Sequence, residues 1–194
     1  MPPTRWGFRR AALAAGLLSA CALPLMGARG AEPTPSQVAS LAAWQKIIAV
    51  LQHPRCLNCH QAEMPLQGDA RRPHLPRVVR GPDGHGVSAM RCGDCHNDSG
   101  NNDGARIPGA PHWQLAPAAM VWQGLSSGDL CRQLKDPQRN GGRALGGLVE
   151  HMDREPLVLW GWAPGAGREP VPLPHPEFVA QMKVWAVGGA VCPP

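Results

Sequence analysis

Two five-residue segments of this 194-residue chain share one spacing of reactive side chains: Cys56-Leu57-Asn58-Cys59-His60 and Cys92-Gly93-Asp94-Cys95-His96. Both read C-x-x-C-H. From composition alone such a segment is expected roughly 0.01 times per chain, so two copies are a specific signal for covalent haem attachment. The spacing has a mechanical reason. Two intervening residues set the sulfurs as far apart as the two vinyl groups of haem, so each can form a thioether. The histidine that follows lies beneath the ring and ligates the iron. The expected cofactor is haem c, two per chain, held by Cys56, Cys59 and His60 and by Cys92, Cys95 and His96.

Other uses of these residues explain less. A zinc site would employ the four thiolates, but the stretch between Cys59 and Cys92 is longer than a usual zinc-ribbon loop. Zinc also leaves the repeated histidine without a role. A thioredoxin-type dithiol needs a βαβ setting that this loop-rich chain lacks. Simple disulfides again leave both histidines unexplained.

Each iron has a second axial position, and its occupant separates an electron carrier from a catalyst. His74, between the two motifs in Arg72-Pro73-His74-Leu75-Pro76, is the candidate for the first haem. His112, beside Trp113, and Met120 are equal candidates for the second, with His151 and Met152 in reserve. His53 is too near its own attachment site to reach the opposite ring face. His85, His175, Met64 and Met90 complete the set, as loop histidines or core methionines by default. Trp113, Trp122, Trp160, Trp162 and Trp185 are candidates for haem edges or for core.

Several elements must position these groups. Residues 1–30 carry Arg5, Arg9 and Arg10 ahead of an apolar run from Ala11 to Ala20, the pattern of a secretory signal peptide. Leu18-Ser19-Ala20-Cys21 also matches a bacterial lipobox, which would tether the protein to a membrane through a lipid on Cys21. Residues 31–37 form a polar leader, and residues 38–194 form one dihaem domain. Thr34-Pro35-Ser36-Gln37 reads as a capping box, and Val38, Leu41, Trp44, Ile48 and Leu51 recur at helical steps as far as Pro54. Gln61–Met90 and Asn97–Pro111 are irregular connections. Helices are expected over Pro117–Trp122, Ser127–Lys135, Arg143–Met152 and Pro176–Val187, with a strand or extended wall over Leu157–Trp162. The fold class is mainly α with extensive irregular loops.

The balance of composition agrees with a cofactor. The formal charge is +5, but four arginines and no acid lie within residues 1–30, so the remainder carries about +1 and no basic footprint for nucleic acid. Two Phe, no Tyr and 45 Gly plus Pro leave few large apolar side chains for a core. Two buried macrocycles would supply that bulk. Cys131 and Cys192 remain once the haem cysteines and Cys21 are set aside, and an oxidising compartment pairs them as a disulfide.

The chain resembles a periplasmic dihaem c-type cytochrome. The carriers of the resemblance are His53-Pro54-Arg55-Cys56-Leu57-Asn58-Cys59-His60 and the loop Pro108-Gly109-Ala110-Pro111-His112-Trp113. It is similar to a family of short proteobacterial cytochromes sometimes labelled as a subunit of an isoquinoline 1-oxidoreductase, from about Ala42 to Pro193. The resemblance implies haem at Cys56, Cys59, Cys92 and Cys95, axial His60 and His96, and redox proteins as partners in the periplasm. No molybdenum or iron–sulfur motif accompanies it, so the implied function is electron transfer. A dihaem peroxidase with one open iron is the alternative.

Overall fold

A computed structural model describes Met1, residues 32–99 and residues 106–194. Apart from Met1, the expected signal segment with Cys21 lies outside the described residues, as does part of the connection expected over Asn97–Pro111.

Helix α1 spans Pro35–Leu51. Its start is the capping box read from the sequence: the Gln37 amide donates to Thr34 Oγ1 at 3.3 Å, and the Thr34 amide donates to Gln37 Oε1 at 2.8 Å. These bonds satisfy donors that the first turn leaves without partners. α1 packs along the C-terminal helix α6, His175–Val187. Trp44 and Trp185 meet between them with ring centroids 5.3 Å apart, both fully buried. The buried Ser40 hydroxyl donates to the Trp185 carbonyl at 2.9 Å and accepts the Val191 amide at 3.0 Å. Gly188 permits the close approach, because a Cβ there would lie 2.6 Å from the Ser36 carbonyl oxygen.

Three further helices close this core: α3 at Ser127–Lys135, α4 at Leu145–Arg154 and α5 at Pro156–Leu159. α2 is the single turn Pro54–Leu57 that follows α1. The Trp44 indole donates to Ser127 Oγ at 2.9 Å, tying α1 to the start of α3. Leu130, Leu134, Leu148, Met152, Phe178 and Met182 fill the space between helices. Among the described residues, no helix is long and apolar enough to cross a membrane.

The connection expected to be irregular carries two small antiparallel ladders. β1 (Leu66–Gln67) pairs with β2 (Arg72–Pro73), and β3 (Gly86–Val87) pairs with β4 (Met90–Arg91). Two sequence expectations are corrected. Leu157–Trp162 is neither strand nor extended wall but α5 followed by a 3₁₀ turn over Trp160–Trp162. Its run of apolar residues is too short for periodicity to separate the two. Pro117–Trp122 forms only a 3₁₀ turn at Ala118–Met120. The Met120 carbonyl and the Trp122 amide, which a helix would use internally, bond to His60 instead.

Cys131 of α3 and Cys192 form the expected disulfide, closing a separation of 61 residues. On the chain-entropy model, Cys131→Ser should lower stability by about 4 kcal/mol, read as a reduced denaturant midpoint.

Candidate haem sites

Both C-x-x-C-H segments wind the same turn. The amides of Cys59 and His60 donate to the Cys56 carbonyl, each at 3.2 Å. The amides of Cys95 and His96 donate to the Cys92 carbonyl, at 3.2 and 2.9 Å. The first turn is launched by α2, where Pro54 at the start leaves no amide wasted and His53 Nδ1 accepts the Arg55 amide. The second is launched by a 3₁₀ turn at Cys92–Asp94, with the Arg91 amide donating to Asp94 Oδ2 at 2.8 Å.

The histidines are seated alike. His60 Nδ1 donates to the Met120 carbonyl at 2.8 Å, and His96 Nδ1 donates to the Pro108 carbonyl at 2.6 Å. A carbonyl oxygen has no proton to give, so in each ring the proton sits on Nδ1 and Nε2 keeps its lone pair. An indole then holds each ring flat. Trp122 stacks on His60 at 3.3 Å between centroids, and Trp113 stacks on His96 at 4.5 Å. The Pro108–Trp113 loop thus supplies both the carbonyl and the indole that seat His96. Burial lowers the His60 pKa to about 4, and the nearby charges of His151 and Arg80 act the same way. Burial likewise lowers that of His96, with His74 and Arg168 contributing. A neutral imidazole with Nδ1–H anchored is the form that ligates a metal through Nε2.

The thiols have the opposite tendency. Burial pushes Cys56 up to about 12 and Cys59 up to about 11, and it also raises Cys92. Zinc ligation and dithiol exchange both employ thiolates. Among the described residues, no group of three or more His, Cys, Asp or Glu is placed to hold one metal ion.

Two cavities open beside these turns. The first, about 240 Å³, is lined by Cys56, Cys59 and His60 together with Met120, Trp122 and Met152. The second, about 430 Å³, is lined by Cys92, Cys95 and His96 together with His74, Met90 and Trp113. Arg55, Cys59, Gln114, Leu115 and Trp160 line both. The second cavity has five arginines in its wall (Arg55, Arg72, Arg91, Arg106 and Arg168) and no carboxylate. An apolar macrocycle bearing two acidic propionates suits such a wall. Arg55 strengthens the fit, since its Nε is buried and has no hydrogen-bond partner.

The candidates for the second axial position fall differently from the sequence expectation. His74 lies beside the second motif, not the first, with its ring centroid 5.9 Å from that of His96. The β1–β2 ladder folds the chain back, and the His74 amide donates to the Pro65 carbonyl. His74 Nδ1 donates to the Pro76 carbonyl at 2.9 Å, leaving its Nε2 in the same condition as those of His60 and His96. Two imidazoles whose nitrogens each lie about 2 Å from one ion take a ring spacing of this order. Met120 belongs to the first cavity, not the second, and its carbonyl serves His60. His112 is exposed, has φ of 62°, lines neither cavity and donates to Glu155 at 3.3 Å. Met152, held in reserve, is buried against the first cavity. His85 donates to the Asp83 carbonyl but lines neither cavity. His53 is occupied as a helix cap.

Sequence reasoning missed Arg80. Its Nε donates to the Ala62 carbonyl at 2.8 Å, Nη1 to that of Ala116 at 2.5 Å, and Nη2 to that of Gln61. One guanidinium therefore clamps the turn after His60 to the chain that precedes Met120. No motif marks it, because its partners are backbone atoms. Arg80→Ala should cost about 3 kcal/mol in a denaturant titration, and Arg80→Lys, with no planar fork, should restore only part. Compared with protein-family models, curated proteins and solved structures, the chain matches none.

Proposed function

We propose that this chain is an exported dihaem c-type cytochrome that carries single electrons between redox proteins in the periplasm. One observation carries the reading. Within each C-x-x-C-H turn the imidazole is neutral, anchored through Nδ1 and stacked on a tryptophan, so its Nε2 is left with the lone pair of a metal ligand, and the histidine lines the same cavity as the two thiols of its motif. Haem would be joined through Cys56 and Cys59 in the first cavity and through Cys92 and Cys95 in the second. When bound it supplies a one-electron couple, and the protein around it supplies axial ligation and exclusion of water.

The chain's own residues divide the work. His60 and His96 would each hold one iron through Nε2. His74, whose ring centroid lies 5.9 Å from that of His96, would be the second ligand there, a closed site suited to electron transfer rather than to peroxide. At the first site Met152, which lines the cavity together with Met120, is assigned the same task. The shared lining at Cys59 brings the two sites within one wall, so an electron arriving at one has a short route to the other.

The test is an absorption and EPR spectrum of the oxidised protein purified from the periplasm. Two covalent haems per chain in low-spin states are expected; zinc without iron, or no c-type absorbance, would overturn the reading. Rapid peroxide turnover with one resting high-spin haem would move the protein to the peroxidase class. Three variants then separate the sites. His74→Ala should turn only the second haem high-spin, Met152→Ala should change only the first, and His112→Ala should change neither.

A further inference from the structure

Among the described residues, Arg55 is the charged side chain that is buried. Its side chain is 1% exposed, whereas that of Asp69, its ion-pair partner, is 41% exposed. Its Nε has no partner, and its guanidinium carbon lies 5.6 Å above the Trp160 ring. Trp160 meets Trp113 edge-on at 4.9 Å, and Trp113 stacks on His96. Along the chain, Arg55 directly precedes Cys56. It therefore adjoins the first attachment site by sequence and reaches the second through two indoles. Among the residues that line both cavities, Arg55 alone bears a permanent charge.

We propose that Arg55 is the common electrostatic reference of the two sites, a fixed buried cation that raises both midpoint potentials together and keeps them close. The inference rests on the dihaem reading. Reduction adds one electron to a site and no proton need follow, so a nearby buried cation favours the reduced form. The imbalance of exposure decides the sign of the pair's field. Water and salt screen the half-exposed carboxylate of Asp69 in part, so it offsets some but not all of the field of the shielded guanidinium. The residual field at the cavities is positive. Its reach to both follows from shared lining, not from symmetry, whereas a group lining one cavity alone acts more strongly on that site than on the other.

A solvated salt bridge that merely braces α2 would predict none of this, so the test reads potentials rather than stability. Spectroelectrochemical titration of the loaded protein resolves the two midpoints. Arg55→Gln should lower both, Arg55→Lys should largely restore both, and Asp69→Asn, which strips the compensating carboxylate, should raise both. Asp69 is exposed enough that its variant tests the proposal even if Arg55→Gln does not fold. Both midpoints unmoved in Asp69→Asn, or a shift at one site alone, would overturn it. An equal shift in Arg139→Gln, an exposed position lining neither cavity, would reduce the effect to net charge and overturn it as well. A wild-type protein without covalent haem would instead defeat the underlying reading before Arg55 is tested.

Discussion

The hydrogen bond from each motif imidazole to a backbone carbonyl is the constraint around which the working half of the molecule is arranged. Because Met120 O and Pro108 O can only accept, they fix the proton of each ring on Nδ1 and leave Nε2 bare. An imidazole held in this form in two matched settings has its Nε2 lone pair free to serve as a metal ligand. The stacking tryptophans prevent the rings from rotating to find other partners. Local elements then follow from this need. Residues 117–122 abandon a helix so that Met120 and Trp122 can grip His60 from two sides, and the Pro108–Trp113 loop does the same for His96.

The two seats are built independently but share a wall. Cys59 lines both cavities, and Arg55, Leu115 and Trp160 continue the partition. For an electron carrier this geometry matters more than the identity of any single ligand, since the route between sites need not cross solvent. It also makes the electrostatics collective. A cation on the partition lies beside both sites, whereas the arginines found only in the second cavity act most strongly on that one.

Much of this was legible in the sequence, and what was not has a common cause. The two C-x-x-C-H turns, the capping box at Thr34, the last helix and the Cys131–Cys192 pair all rest on side-chain identity at fixed spacing. The seats of His60 and His96 rest on backbone carbonyls, which every residue possesses and no pattern marks. Which motif His74 approaches depends on where a two-residue ladder turns the chain, and Leu66–Gln67 has no strand signature at that length. The sulfur of Met120 makes it a ligand candidate in the sequence, yet it is its carbonyl that the structure uses.

The scarcity of large apolar residues proves to be regional. The helical half has an ordinary core, with Trp44, Trp185, Phe178 and the leucines of α3 and α4 all buried. Among the described residues between 62 and 109, by contrast, only Gly84, Gly86 and Gly109 are buried, so no side chain there is fully enclosed. That segment is held by backbone ladders, by the Arg80 clamp and by contacts across open cavities rather than by packing. Local stability follows enclosed apolar surface, so this half should sit at the low end of the molecule's stability range. A ligand that fills the cavities would contribute most there, by adding the apolar surface the segment lacks. The composition therefore does not describe a chain unable to fold. It describes a firm helical scaffold carrying a segment shaped to be completed by what it binds.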